Sequence, residues 1–145
     1  METLIRPIEF DAAADTLLRS SHLPTDDLPG SSNVLLFGYK QDGALSGVIG
    51  LEVYGTNALL RSLAVTESNR NTGLGAALVC YAEQHAAKHG VGAVYLLTTT
   101  ADKFFERRGY AHVGRNEAPV AIASTSQFSV LCPSSSAFMV KRLDG

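Results

Sequence analysis

The chain has 145 residues, a formal net charge of −2, 46% hydrophobic residues and 18% charged residues. We therefore expect one domain over residues 1–145, with a packed core rather than disorder. The sequence has no basic stripe of the kind that binds nucleic acid, and its longest apolar runs, such as Val34-Leu35-Leu36-Phe37, are too short to cross a bilayer. The start lacks an apolar signal core. We expect a cytoplasmic protein with no nucleic-acid or membrane partner, and two free thiols, Cys80 and Cys132.

The first half of the chain predicts a strand, a helix and three antiparallel strands. Asp11 is a plausible N-cap for the helix, and Asp42-Gly43 is a strong hairpin turn signal. A two-residue turn at Thr56-Asn57 would place Glu52 opposite Arg61 on one face of the sheet. The predicted strands cover residues 4–8, 32–40, 45–54 and 58–65, and the predicted helix covers residues 11–21.

The second half begins with a βαβ unit. Apolar residues at helical spacing predict a helix over residues 74–89, which Gly90 ends. The continuous apolar run that follows is typical of a buried parallel strand, predicted over residues 91–98. A short helix over 101–108, a strand over 110–114, a helix over 118–132 that starts at Pro119, and a last strand over 136–142 complete the prediction.

The loop Arg70-Asn71-Thr72-Gly73-Leu74-Gly75 lies between an apolar strand and the long helix. Glycines allow a ligand to approach the backbone, and the unpaired N–H groups and dipole of a helix start favour an anion. Arg70 can add a charged contact, so a pyrophosphate fits this loop. A plain tight connection is the alternative. A P-loop would need Gly-Lys-Ser/Thr where Ala76-Ala77 stands, and a dinucleotide-binding fold would need this element early in the chain.

The element order, the Arg-x-x-Gly-x-Gly loop after Leu63-Ala64-Val65, and the segment Phe104-Phe105-Glu106-Arg107-Arg108-Gly109-Tyr110 resemble the GNAT acetyltransferase superfamily. The resemblance implies an α/β (α+β) fold with a mixed, mostly antiparallel sheet, splayed at a central parallel pair and flanked by helices. Five segments are also similar to a branch of arsenic-resistance N-acetyltransferases, namely Gly50-Leu51-Glu52-Val53-Tyr54-Gly55, Leu60-Arg61-Ser62-Leu63-Ala64-Val65, Tyr95-Leu96-Leu97-Thr98-Thr99-Thr100-Ala101, Ala118-Pro119 and Leu131-Cys132-Pro133.

This resemblance implies an N-acetyltransferase that uses acetyl-CoA as cosubstrate and no metal. The acetyl group would pass to the primary amine of a small, amino-acid-like acceptor by direct attack in a ternary complex, with a link to arsenic resistance. It is also compatible with a homodimer. A backbone N–H near Leu63 would hold the thioester oxygen in catalysis. The residues implied to contact the cofactor are Leu63, Ala64, Val65, Arg70, Asn71, Thr72, Gly73, Leu74, Gly75, Thr98, Phe104 and Phe105.

Phe105 departs from the family pattern, because many members carry there a tyrosine that protonates the departing thiolate. A phenylalanine cannot donate a proton, so that role would fall to water or another residue. The departure makes a non-catalytic module that binds or senses acyl-CoA a competing interpretation. Acetylation of protein amines, on lysine or the N-terminus, is a second alternative.

The catalytic and acceptor side offers several candidates. Amine attack needs a base, for which Glu52 is the best candidate beside a water chain. A partly buried ion pair between Glu52 and Arg61 is an equal alternative and is compatible with that role. An arginine facing the same side as Leu63 would suit an acceptor carboxylate. The residues predicted to bind the acceptor are His22, Arg61, Thr100 and Phe128, the last in a segment expected to cover the acceptor side. His85 and His89 lie four apart on a helix, but no third metal ligand is evident.

Overall fold

The computed structural model describes residues 5–21, 23, 34–70, 72–125, 128 and 136–143. Within these ranges the chain forms seven strands and four α-helices. The strands are β1 (Ile5–Ile8), β2 (Val34–Gln41), β3 (Ala44–Tyr54), β4 (Asn57–Val65), β5 (Ala93–Thr98), β6 (Ala111–His112) and β7 (Ala137–Arg142). The helices are α1 (Ala12–Ser20), α2 (Leu74–Lys88), α3 (Asp102–Glu106) and α4 (Val120–Ala123).

All seven strands belong to one sheet, in the order β1-β2-β3-β4-β5-β7-β6. Only β4 and β5 are parallel, and α2 is the crossover that joins them. The other neighbouring strands are antiparallel. This arrangement confirms the predicted mixed, mostly antiparallel sheet with a central parallel pair and flanking helices.

Two helical layers cover the sheet. On one face, called here the α2 face, Leu74 and Leu78 of α2 and Phe105 of α3 pack on strand residues such as Ile49 and Leu96. On the opposite α1 face, Leu17 and Leu18 of α1 pack against β2, β3 and β4, while Ile122 of α4 packs against β4 and β5. Burial of such apolar side chains, each worth about 1.5–3 kcal/mol, provides most of the driving force for the fold. Among the described residues, no helix has the length and apolar character needed to span a bilayer.

Local sequence signals explain several element ends. Asp11 caps α1 as predicted, because its carboxylate accepts a hydrogen bond of 3.0 Å from the Ala14 N–H. The β2–β3 turn uses Asp42 and Gly43, both with positive φ, as the Asp-Gly signal predicts. Gly90, with φ of +84°, follows the last residues of α2.

The β3–β4 register differs from the prediction. The turn residues are Gly55 and Thr56 rather than Thr56 and Asn57, so Glu52 lies opposite Leu59 and not opposite Arg61. Gly55 has a φ of +64°, and a glycine reaches this left-handed conformation without strain. The register therefore shifts by two residues. An even shift keeps Glu52 and Arg61 on the same face of the sheet.

The predicted helix over residues 118–132 is also wrong in its extent, because α4 ends at Ala123. The Thr125 hydroxyl donates to the Ile122 carbonyl at 2.7 Å and accepts from the Phe128 N–H at 3.2 Å. A side chain that bonds to nearby backbone in this way competes with helix continuation. Residues 126–127 and 129–135, with Cys132 among them, lie outside the described part of the chain.

Candidate active site

Strands β4 and β5 run side by side for only four residue pairs, from Asn57 with Ala93 to Leu60 with Leu96. Beyond that point β4 continues along β3 as far as Val65, whereas Leu97 and Thr98 of β5 pair only with β7 among the described strands. The two parallel strands therefore part in the middle of the sheet. The result is an opening lined by backbone from Arg61 onwards, at the position where the resemblance implies an extended cofactor arm.

A bulge in β4 lies at this opening. Gly50 pairs with Arg61 and Val48 pairs with Ala64, so three steps along β4 match two along β3. Ser62 has a φ of +58°, a conformation that L-residues rarely adopt. The bulge reverses the alternation of side chains: Leu63 packs on the α2 face, while Arg61 lies on the α1 face with Glu52. The expectation that Arg61 and Leu63 face the same side is therefore wrong.

The loop that leads into α2 has the geometry of an anion site. Gly73 is the N-cap residue, has a φ of +87°, and places no side chain on the first turn of α2. The first hydrogen bond within α2 comes from the Ala77 N–H, so the N–H groups of Leu74 and Gly75 have no partner among the described residues. The side chain of Arg70 is exposed, and its backbone N–H donates to the Glu67 carbonyl. Asn71 lies outside the described residues.

Short side chains and an aromatic ring surround this helix start. A Cβ on Gly75 would lie 3.6 Å from the Phe104 ring and 3.9 Å from Val65. Phe104 of α3 and Val65 at the end of β4 therefore flank the first turn of α2. Thr98 ends β5, and its hydroxyl accepts a hydrogen bond of 3.0 Å from the Ala101 N–H, which fixes the turn into α3. Thr72 donates its hydroxyl to the Asn69 carbonyl. Of the residues predicted to contact the cofactor, Val65, Gly75 and Phe104 therefore meet at the start of α2.

Phe105 is 6% exposed and belongs to the core of the α2 face. Its ring packs edge-on against Tyr110 at a centroid distance of 5.5 Å. Tyr110 donates its hydroxyl to Glu83 at 2.8 Å, and burial, followed by the charge of Glu83, raises the pKa of this phenol above its usual range. The Tyr110 hydroxyl is therefore bound to Glu83 of α2 within the core of this face.

Glu52 and Arg61 form a buried ion pair on the α1 face. Arg61 Nη1 lies 2.8 Å from Glu52 Oε2, and the two side chains are 1% and 6% exposed, respectively. The other carboxylate oxygen of Glu52 accepts a hydrogen bond from the Tyr54 hydroxyl. Arg61 Nε also donates to Ser62 Oγ, which ties the pair to the bulge. The predicted ion pair is confirmed, although the predicted register of β3 against β4 is wrong.

Of the remaining acceptor candidates, only Phe128 is placed near this pair by the described residues. Phe128 packs edge-on against Phe138 at 5.2 Å, and it joins a cluster with Leu59 and Tyr54 on the α1 face. Because Leu59 is the residue opposite Glu52, that cluster adjoins the ion pair. Thr100 is exposed after β5, and His22 lies outside the described residues.

Sequence reasoning missed two residues of this site as described. Tyr54 could have been found from its position, because it lies two residues after Glu52 on a strand and both side chains therefore lie on one face. Ser62 showed no signal, because nothing marks a serine that adopts positive φ. Outside this site, His112 Nε2 lies 2.9 Å from Glu106 and 3.7 Å from Asp102, at an exposed corner of α3 and β6.

Residues 5–110 match the model of the acetyltransferase (GNAT) family. The chain belongs to this family. An uncharacterized N-acetyltransferase of Chlorobaculum tepidum is 42% identical over 65 residues, which are 45% of this chain and 41% of that protein. The fold also resembles N-acetylglutamate synthase from Neisseria gonorrhoeae, solved with coenzyme A and N-acetyl-glutamate (TM-score 0.79, 18% identity, 99% of this chain and 36% of that one). A GNAT-family acetyltransferase from Staphylococcus aureus Mu50 is similar over 96% of this chain and 99% of that one (TM-score 0.76, 17% identity).

Proposed function

We propose that the protein transfers the acetyl group of acetyl-CoA to the primary amine of a small, amino-acid-like acceptor. The observation that carries the proposal is the opening between β4 and β5, with the helix start of α2 near one end and the Glu52–Arg61 pair beside it. The N–H groups of Leu74 and Gly75 suit the pyrophosphate of CoA, with Arg70 adding charge. The backbone of Leu63–Val65 suits the pantetheine arm, which would bond there like an added strand.

The reaction proceeds in a ternary complex. The neutral amine attacks the thioester carbonyl, a backbone N–H near Leu63 holds the oxyanion, and the C–S bond then breaks to release the CoA thiolate. The amine proton passes to Glu52 through water. Both oxygens of Glu52 already accept hydrogen bonds, so the bridging water would have to share an oxygen with Tyr54 or Arg61. With no tyrosine at position 105, solvent protonates the thiolate.

The acceptor is proposed to be amino-acid-like on two grounds. The segments around Arg61, Thr98 and Leu131 resemble the arsenic-resistance branch, and the structurally similar synthase from Neisseria gonorrhoeae was solved with N-acetyl-glutamate. Since the Arg61 side chain is 1% exposed, its role is to hold Glu52 and the bulge, and the acceptor carboxylate meets it only if the pair opens.

The test is release of free thiol from acetyl-CoA across a panel of amines. The panel contains proteinogenic amino acids, arsenical and phosphinic amino-acid analogues, aminoglycosides and lysine peptides. We expect turnover with an amino-acid-like amine. Thermal stabilisation by CoA without turnover on any amine would identify an acyl-CoA-binding module instead, and turnover confined to peptides would identify a protein acetyltransferase.

A single and a double variant together separate the catalytic role of Glu52 from its structural role. Glu52→Gln leaves Arg61 charged and buried, which we expect to cost about 3–5 kcal/mol of unfolding free energy. Glu52→Gln with Arg61→Gln removes both charges and should recover much of that stability. If Glu52 accepts the proton, the double variant folds well yet turns over at least about tenfold more slowly at neutral pH. A double variant as active as the wild type would show that Glu52 serves only the fold.

A further inference from the structure

Two carboxylates and an imidazole converge at the exposed corner between α3 and β6, and none of the three has a part in the proposed acetyl transfer. Asp102 and Glu106 lie four residues apart on α3, so both side chains lie on one face of that helix. His112 of β6 meets them there, with its Nε2 2.9 Å from Glu106 Oε2 and 3.7 Å from Asp102 Oδ2. One ligand atom from each residue lies within 4.8 Å of the other two. The corner therefore offers one nitrogen and two oxygens to a common point.

The spacing of these three atoms suits a zinc ion. Zinc lies about 2.0–2.2 Å from nitrogen and carboxylate oxygen ligands, so neighbouring ligand atoms of a tetrahedral site are about 3.3–3.6 Å apart. The two measured separations, 2.9 Å and 3.7 Å, lie on either side of this range. Because all three side chains are about half exposed, small rotations bring their ligand atoms to the required spacing without movement of the backbone. Water can take the fourth position.

The charges at this corner also favour a cation. The same segment contains three basic residues, Lys103, Arg107 and Arg108. Among the described residues, no ion pair joins any of them to the two carboxylates of the corner, which both face His112. Even a protonated imidazole offsets only one of the two negative charges. A divalent cation offsets both and removes the repulsion between the carboxylates.

We propose that Asp102, Glu106 and His112 form a binding site for Zn²⁺. The ion replaces the proton in the hydrogen bond between His112 Nε2 and Glu106, because an imidazole nitrogen binds a metal through its lone pair. The mixed nitrogen and oxygen set favours zinc over Mg²⁺ and Ca²⁺, which prefer oxygen alone. The bound ion ties α3 to β6, the edge strand of the sheet. The site is independent of the proposed acetyl transfer, for which the family resemblance implies no metal.

The test is calorimetric titration of the full chain with zinc chloride, and we expect the wild type to bind one zinc ion per chain. Asp102→Asn removes one ligand but keeps the hydrogen bond between His112 and Glu106, so it should weaken zinc binding at least about tenfold. His112→Gln removes the nitrogen ligand and should weaken binding by at least as much. The matched control is His89→Gln, which changes an exposed histidine of another element and should bind zinc within about twofold of the wild type.

The control also tests a rival site, because His85 and His89 stack on each other at the end of α2 and could chelate zinc as a pair. Loss of zinc binding in His89→Gln with normal binding in Asp102→Asn would overturn the proposal. Equal zinc affinity in all four proteins would overturn it too, and so would a wild type that binds no zinc. Thermal unfolding gives a second measurement: zinc should raise the unfolding temperature of the wild type and of His89→Gln, but not that of His112→Gln or Asp102→Asn at the same zinc concentration.

Discussion

At the residue scale, glycines decide where other groups can approach. Gly73 adopts a left-handed conformation, which a glycine reaches without strain. Gly75 is helical, and its lack of a side chain leaves space beside the first turn of α2. A methyl group on Gly75 would lie 3.6 Å from Phe104, an ordinary contact. The free protein can therefore tolerate alanine there, while a ligand placed on the N–H groups of the first turn would meet the added methyl.

We predict that Gly75→Ala separates cofactor binding from stability. The free variant should be as stable as the wild type or more stable, by up to about 1 kcal/mol, because alanine favours the helix. Its affinity for CoA should fall at least about tenfold, measured by titration calorimetry beside urea unfolding. Ala87→Ser, at the exposed far end of α2, is the control and should bind CoA normally. Unchanged CoA affinity in Gly75→Ala would show that CoA does not place a phosphate at the first turn of α2.

At the element scale, α2 was predicted almost to the residue. Its apolar positions recur at helical spacing, and the predicted end at His89 differs from the observed end at Lys88 by one residue. For α4 the apolar pattern indicated a longer helix, but the Thr125 hydroxyl competes for the backbone. The spacing of apolar residues predicts which face of a helix is buried. It does not predict whether the backbone bonds within the helix or to a nearby side chain such as that of Thr125.

The C-terminal part of α2 also gives a pH-dependent contribution to stability. His85 packs on Phe37 and stacks on His89, with ring centroids 5.0 Å and 4.3 Å away. Burial, then the charges of His89 and Lys88, lower the pKa of His85 below 6.5. Below pH 6.5 the unfolded chain therefore binds more protons at this site than the folded chain, and stability falls as the pH drops towards the lower folded value.

We predict that His85→Gln reduces this loss of stability at low pH. The wild type should lose urea stability between pH 7.5 and pH 5.5, and the variant should lose less. Gln84→Ala, an exposed change on the same helix without a titrating group, should retain the wild-type slope. A variant whose unfolding midpoint falls as steeply as that of the wild type would show that His85 does not contribute.

At the scale of the whole molecule, the sequence predicted the sheet and its parallel pair but not the detail that shapes the site. The parallel pair follows from the βαβ unit, and the family resemblance implied the mixed sheet around it. The register of β3 against β4 depended on choosing Gly55-Thr56 as the turn, and the bulge at Ser62 has no sequence signature. Both Arg61 and Leu63 were identified as candidates, yet the bulge assigns them to opposite faces. Interactions across strands set this outcome, so a local pattern could not show it.

The parting of β4 and β5 leads to the last prediction, on hydrogen exchange across the sheet. Amides in the paired stretch Asn57–Leu60 lie between two strands and should exchange slowly with or without ligand. In Arg61–Val65, the amides that point towards β5 face the opening and should exchange faster in the free protein. Saturating CoA should slow them at least about tenfold, because the pantetheine arm would pair with this backbone like a strand. Protection confined to α2, with Arg61–Val65 unchanged, would show that CoA binds at the helix start without entering the sheet.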